Sequence, residues 1–300
     1  MKRFILVLIG ATLLALACGD GGTTPEPPDH THPPGPHVNG FCYDPDWGNN
    51  DLVVAHGSWQ QQMGDALYTF RGDGSALKEI WHTESVQVED PAWSPDCKRV
   101  AFADVAESLK PPDIFVLEIG QKDPERLTTG GGIYPAWSPD GAELAFIAPR
   151  GEYWSQVGDL KIINVATRRV RTLVDDGDAA QPDWAPDGQH IVFVKGEPWW
   201  GPNELRQVNM AAQTTPVLSR PGEHYSYPQW SPDGSRLVFT RISGGREVAA
   251  WEKANGKVTA LTDMWVCHDA TWSPAGNAVA FRAEDCGAGQ DGGIYVVKYR

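Results

Sequence analysis

A phrase built around one tryptophan recurs along this 300-residue chain and sets its architecture. It reads Pro91-Ala92-Trp93-Ser94-Pro95-Asp96, then Pro135-Ala136-Trp137-Ser138-Pro139-Asp140-Gly141. Pro182-Asp183-Trp184-Ala185-Pro186-Asp187-Gly188 and Pro228-Gln229-Trp230-Ser231-Pro232-Asp233-Gly234 follow, and Ala270-Thr271-Trp272-Ser273-Pro274-Ala275-Gly276 is a worn fifth copy. The tryptophans lie 44, 47, 46 and 42 residues apart. One further step back reaches Trp47 in Pro45-Asp46-Trp47-Gly48, a degenerate copy that brings the count to six. A period of this length marks supersecondary units stacked in an array.

Each copy has the same internal order. An apolar segment ends at the tryptophan, and a polar Ser-Pro-Asp-Gly turn follows. Proline presets φ, aspartate bonds back to the backbone and glycine supplies φ > 0. A β-rich run comes next, such as Val100-Ala101-Phe102, Leu144-Ala145-Phe146 or Ile191-Val192-Phe193. A third run follows, Asp113-Ile114-Phe115-Val116-Leu117 in one copy, and a fourth ends in phrases like Arg126-Leu127-Thr128. Short β-rich runs without a long 3.6-residue period exclude helical solenoids. Four antiparallel strands per repeat make a propeller blade. The expected fold is all-β: a six-bladed β-propeller of four-stranded antiparallel blades over residues 37–300, as one domain.

The Trp-[Ser/Ala]-Pro-Asp-Gly turn followed by an aliphatic-x-Phe strand resembles the WD-repeat-like β-propeller of the TolB type. The resemblance covers roughly residues 41–300 and implies six blades. That family's namesake carries an α/β domain ahead of its propeller. Only a short segment precedes the first blade here, so the expectation is a propeller without that domain. The last blade ends at Arg300 after its third strand, and the spacing places His37-Val38-Asn39 as the strand that closes it. An unpaired edge would otherwise be exposed.

Met1-Lys2-Arg3 and the 13-residue apolar run at 4–16 read as a secretory signal over residues 1–17, too short to span a membrane. Ala15-Leu16-Ala17-Cys18 resembles a bacterial lipobox, with Ala15 where that pattern prefers leucine. Cys18 is therefore the expected lipidated residue; the alternative is an ordinary signal with a chance cysteine. Residues 18–36 lack apolar content and read as a flexible tether. His30, His32 and His37 in or beside it suggest chance rather than a metal site. The formal charge of −14 repels phosphate backbones and excludes nucleic acid as a natural partner. It also leaves lipid, not a basic patch, as the membrane anchor, at about 0.8 kcal/mol per buried acyl CH₂. The expected location is extracytoplasmic, lipid-anchored and monomeric.

Cys42, Cys97, Cys267 and Cys286 remain, in a compartment that permits bridges. In the blade scheme Cys267 and Cys286 share one face, which favours a Cys267–Cys286 disulfide. Cys97 replaces glycine in the turn at the far end of its blade, so a Cys42–Cys97 bridge would be strained. Pairing of Cys42 with Cys267 or Cys286 stays open.

No nucleophile elbow, His-Glu-x-x-His, P-loop, EF-hand loop or Cys-x-x-Cys occurs. Aromatic residues cluster instead where loops meet one face: Trp59, Tyr153, Trp154, Trp199, Trp200, Tyr225 and Tyr227, with His224 and His268 beside them. Rings with a polar handle suit sugar stacking or peptide anchoring; the bland alternative is packing of loop against loop. Asp44, Asp90 and Asp269 each stand three residues before a tryptophan, in adjoining blades. Three carboxylates in one sector of a channel mouth could hold a divalent cation or a basic partner; otherwise they are solvated loop ends. Asp175-Asp176-Gly177-Asp178 reads as a solvated loop rather than a calcium site. The favoured function is non-catalytic: a binding or scaffolding module of the cell envelope for a protein or polysaccharide. The alternatives are a metal-dependent polysaccharide lyase or hydrolase at the channel mouth, and a carbohydrate-binding module using the aromatic loops.

Overall fold

The repeated turn is held by its own side chains. Ser94 Oγ donates to Asp96 Oδ1 at 2.7 Å and accepts from the amide of Arg99 at 3.0 Å. The same two bonds recur around Ser138, at 2.6 and 2.9 Å, and around Ser231, at 2.6 and 3.0 Å. Gly141 and Gly234 close their turns at φ of 69° and 66°. Cys97 takes the corresponding left-handed position at φ 53°, where a side chain is strained. The computed structural model describes residues 37–39, 41–58, 65–83, 88–104, 112–150, 155–198, 202–243, 245–262, 267–283 and 293–299.

These turns join strands into four-stranded antiparallel units. β1 (His37–Asn39) stands apart, and the first blade is β2 (Phe41–Trp47), β3 (Leu52–Ser58), β4 (Asp65–Arg71) and β5 (Lys78–Thr83). Blade two is β6 (Val88–Trp93), β7 (Arg99–Asp104), β8 (Asp113–Glu118) and the two-residue β9 (Glu125–Arg126). Blades three and four share one long strand. β10 (Ile133–Trp137), β11 (Glu143–Pro149) and β12 (Gly158–Asn164) pair with the first part of β13 (Val170–Trp184). The last part of β13 pairs with β14 (His190–Lys195), which continues to β15 (Glu204–Asn209) and β16 (Thr214–Leu218). Blade five is β17 (His224–Trp230), β18 (Arg236–Ile242), β19 (Arg246–Glu252) and β20 (Val258–Ala260). Blade six is β21 (Cys267–Trp272), β22 (Ala278–Ala283) and β23 (Gly293–Lys298). Its fourth strand is β1, with His37 opposite Tyr295 and Asn39 opposite Gly293. The closing strand expected at 37–39 is thus present.

The segment 175–178 is not a free loop but the kink inside β13. Lys195 Nζ pairs with the Asp176 carboxylate, and Arg150 donates to the Asp175 backbone carbonyl.

The core lies between blades. Phe102, Phe193 and Phe239 on the second strands are fully buried. Arg99 stacks over Trp137 of the next blade, 4.5 Å from the ring centroid, and donates to the Gly141 carbonyl at 3.2 Å. Arg236 repeats this across blades five and six, between Trp272 and Tyr299 at 4.9 and 4.5 Å. The first strand of each blade packs against the first strand of the next, and β21 packs against β2. The amide of Trp47 donates to Thr271 Oγ1 at 3.1 Å, which ties blade one to blade six and closes the ring.

Candidate binding site in the central channel

Every inner strand carries the same irregularity. Pairing with the second strand shifts register just ahead of the tryptophan in all six blades. At each shift one non-glycine residue has positive φ: Asp44 (48°), Asp90 (52°), Tyr134 (54°), Gln181 (49°), Tyr227 (49°) and Asp269 (55°). Such residues are uncommon, and one per blade marks a built-in bulge that re-aims a side chain. Proline follows in five blades, and its missing N–H costs nothing where the strand leaves its ladder. All six residues line one cavity of about 390 Å³. Its mouth is the turn face, where Asn49, Pro139, Pro186 and Pro232 are exposed.

The six positions divide the channel in two. Asp269, Asp44 and Asp90 come from blades six, one and two. Tyr134, Gln181 and Tyr227 come from blades three, four and five. The tyrosine rings meet edge to face, 6.1 Å apart at 86°, and Gln181 Oε1 accepts the Tyr227 amide at 2.8 Å. Tyr134 and Gln181 are the members that sequence reasoning missed. Their signal was the same offset from the tryptophan that singled out the aspartates.

The acidic sector is not three free carboxylates. His56 Nε2 meets Asp44 Oδ2 at 2.9 Å, and its Nδ1 meets Asp65 Oδ2 at 3.2 Å. Both ring nitrogens therefore donate, and the ring is an imidazolium. Burial opposes that charge, but the two carboxylates outweigh it and push the ring up to about 10. Burial likewise raises Asp44, and the bond and charge of His56 overcome it, bringing the carboxyl down to about 2. Asp90 is held well above the usual carboxylate range by burial and by the charges of Asp44 and Glu89. Burial and Asp44 push Glu89 up to about 7. Asp269 is raised by burial, against the pull of His268, whose Nδ1 lies 2.5 Å from Asp269 Oδ2. Among the described residues, no three His, Cys, Asp or Glu side chains are grouped to hold a metal ion. The expected trio shares a cavity, but His56 and His268 each take one oxygen of a member, Asp44 Oδ2 and Asp269 Oδ2.

The aromatic face expected from the sequence is only partly described. Trp59, Tyr153, Trp154, Trp199 and Trp200 lie outside the described residues. Tyr225 is not displayed at the surface: it is fully buried, its ring edge-on to Phe239 at 5.6 Å and its hydroxyl donating to Glu223 at 2.9 Å. His268 is also buried, against Asp269. Among the described members of that set, Tyr227 keeps a place in the cavity wall. Cys267 is buried at the start of β21, while Cys286 and the side chain of Cys42 lie outside the described residues.

A closed six-bladed ring with a polar, sectored channel defines a β-propeller. The sequence profile of the TolB beta propeller domain matches residues 41–276, and the chain belongs to that family. It is 28% identical over 199 residues to the Tol-Pal system protein TolB of Francisella tularensis subsp. mediasiatica (strain FSC147). That match takes in 65% of this chain, which spans 45% of the relative's length. The crystal structure of TolB from Acinetobacter baumannii superposes with a TM-score of 0.66 at 20% identity, over 78% of this chain and 57% of that one. The β-propeller domain of the trilobed protease from Pyrococcus furiosus, described as having an open velcro topology, gives 0.58 at 13% identity over 86% and 95%. At these identities both structures share the fold alone.

Proposed function

We propose that this chain is a non-catalytic binding module of the cell envelope, held outside the cytoplasm by lipid on Cys18, with residues 18–36 as its tether. The observation that carries the reading is the channel mouth. Four rigid turns bring Asn49, Pro139, Pro186 and Pro232 to an exposed rim around a cavity. A preformed apolar rim over a polar interior gives a partner shape complementarity at low ordering cost. The match to proteins named for the Tol-Pal system supports an envelope protein as that partner. The interior supports binding over chemistry, because His56, clamped on both nitrogens, cannot act as a base near neutral pH.

Two measurements test this. Metabolic labelling with radioactive palmitate should mark the wild type and not Cys18→Ser. Cross-linking in envelope preparations should capture a discrete protein partner that Pro139→Arg plus Pro186→Arg no longer captures. Equal capture by that rim variant would refute docking at the mouth.

A further inference from the structure

The residue just before each tryptophan separates the channel into two kinds of sector. Asp46, Asp183 and Gln229 accept the amides of Trp93, Trp230 and Trp272 of the following blades, each at 2.7 Å. Thr271 does the same for Trp47 at 3.1 Å. These amides point away from the second strand, because the flanking residue, such as Ser138 bonding to Glu143, makes the ladder bond instead. Blades two and three carry Ala92 and Ala136 at this position. Their methyl groups accept nothing, so the amides of Trp137 and Trp184, two residues of the cavity wall, lack the cap from the preceding blade used in the other four, and Trp184 has only the adjacent Asp183 carboxyl near its amide.

A third donor joins them. Gln181 is 3% exposed, and its buried Nε2 makes no well-formed hydrogen bond, with the Tyr134 hydroxyl as the acceptor beside it. Blade six stands opposite blade three in a ring of six. There Asp269, 5% exposed, has Oδ1 buried with no well-formed hydrogen bond, its carboxyl set against that of Asp44. One cavity therefore holds poorly satisfied donors on one side and a poorly satisfied acceptor, with Asp90 beside its sector, on the other. Buried polar groups are normally satisfied, so such a set describes the ligand that would satisfy it.

We infer that the channel binds a small zwitterion of amino-acid to dipeptide size. Its carboxylate or carbonyl oxygen accepts from the amides of Trp137 and Trp184 and from Gln181 Nε2. Its ammonium group faces Asp269 and Asp90, whose raised carboxyls its positive charge draws into the ionised form, and its apolar part packs on Tyr134 and Tyr227. The cavity of about 390 Å³ has the size of a small-ligand pocket. Asp183, pushed up to about 8 by burial, carries no charge near neutral pH to repel the ligand's oxygen. The site lies inside the channel, apart from the rim proposed for the protein partner, so a failed cross-link and a failed titration are separate results.

Calorimetric titration of the purified protein tests it with alanylalanine, alanine, ethylamine and acetate. A zwitterion should bind at least about tenfold more tightly than ethylamine or acetate, a gap of about 1.4 kcal/mol. Ala136→Asp recreates the cap that Asp183 and Asp46 supply elsewhere, so it should keep or raise the unfolding temperature and weaken the zwitterion about tenfold or more. Ala136→Thr copies Thr271 and should act in the same direction. Asp269→Asn should weaken the zwitterion and leave acetate unchanged. The inference is overturned if no zwitterion binds at millimolar concentration. It is equally overturned if Ala136→Asp and Ala136→Thr, both folded, bind like the wild type, or if ethylamine alone matches the zwitterion.

Discussion

Replacing His56 with glutamine should cost the protein about 3 kcal/mol at neutral pH and flatten its alkaline stability profile. The ring is buried between Asp44 and Asp65, and its pKa rises from 6.5 to about 10. Each tenfold gain in proton affinity is worth about 1.4 kcal/mol, which sets a ceiling of about 5 kcal/mol. The depression of Asp44 to about 2 is the same interaction seen from its partner and is not added again. Glutamine keeps one donor and loses the charge, leaving two buried carboxylates uncompensated. Breaking such a pair typically costs about 3–5 kcal/mol, and the retained bond returns about 1. The folded pKa lies above the unfolded one. This stabilisation is therefore complete below pH 6.5 and declines by about 1.4 kcal/mol per pH unit until it is gone near pH 10. The Asp44 side has the opposite sign: it is present above 3.8 and lost as pH falls through about 2. Urea unfolding followed by tryptophan fluorescence, at several pH values across the alkaline window, measures both slopes. The wild type should lose stability across that window faster than His56→Gln. Parallel profiles, or a neutral-pH difference under about 1 kcal/mol, would refute the double clamp.

Three further outcomes are expected. Cys97→Gly should stabilise by about 1 kcal/mol, because φ 53° strains a side chain where other blades use glycine; an unfolding temperature at or below wild type contradicts this. Arg236→Ala should cost about 1–2 kcal/mol by removing the stack on Trp272 and Tyr299 and the bond to Gly276, and Arg236→Lys should recover only part of it; denaturant midpoints decide. Deleting residues 37–39 bares the edge of β23 and should bring concentration-dependent association, read by light scattering, that the full chain does not show.

The periodic residues carried most of the fold. Trp-Ser-Pro-Asp-Gly specifies a turn because Ser94 and its equivalents bond to that turn's own backbone, a strictly local interaction. The place of His37-Val38-Asn39 followed from counting strands against the period. What local pattern could not give was the direction of side chains at the bulges. Asp44, Asp90 and Asp269 were legible as chemistry, but Tyr134 and Gln181 looked like ordinary strand residues until the six positive-φ positions placed them in one ring. Tyr225 shows the reverse error. Its aromatic, polar-flanked setting suggested display, yet it lies ahead of the bulge, still paired with β18, and its ring is buried in the interblade core. The run 175–178 had the composition of a turn, but charges from Arg150 and Lys195, distant in sequence, hold it within β13.

The join between β1 and β23 has a mechanical meaning. Because His37 lies opposite Tyr295 and Asn39 opposite Gly293, residues 37 and 298 leave the blade at the same end of the pair. A load applied between those two points peels the ladder one bond at a time instead of shearing all bonds together. The seam is three residues long, while the other joints within that blade run six residues a side. Tension along the N-terminal segment would therefore find the ring's weakest fastening first, and would open the propeller at blade six before disturbing the channel residues of blades two to five.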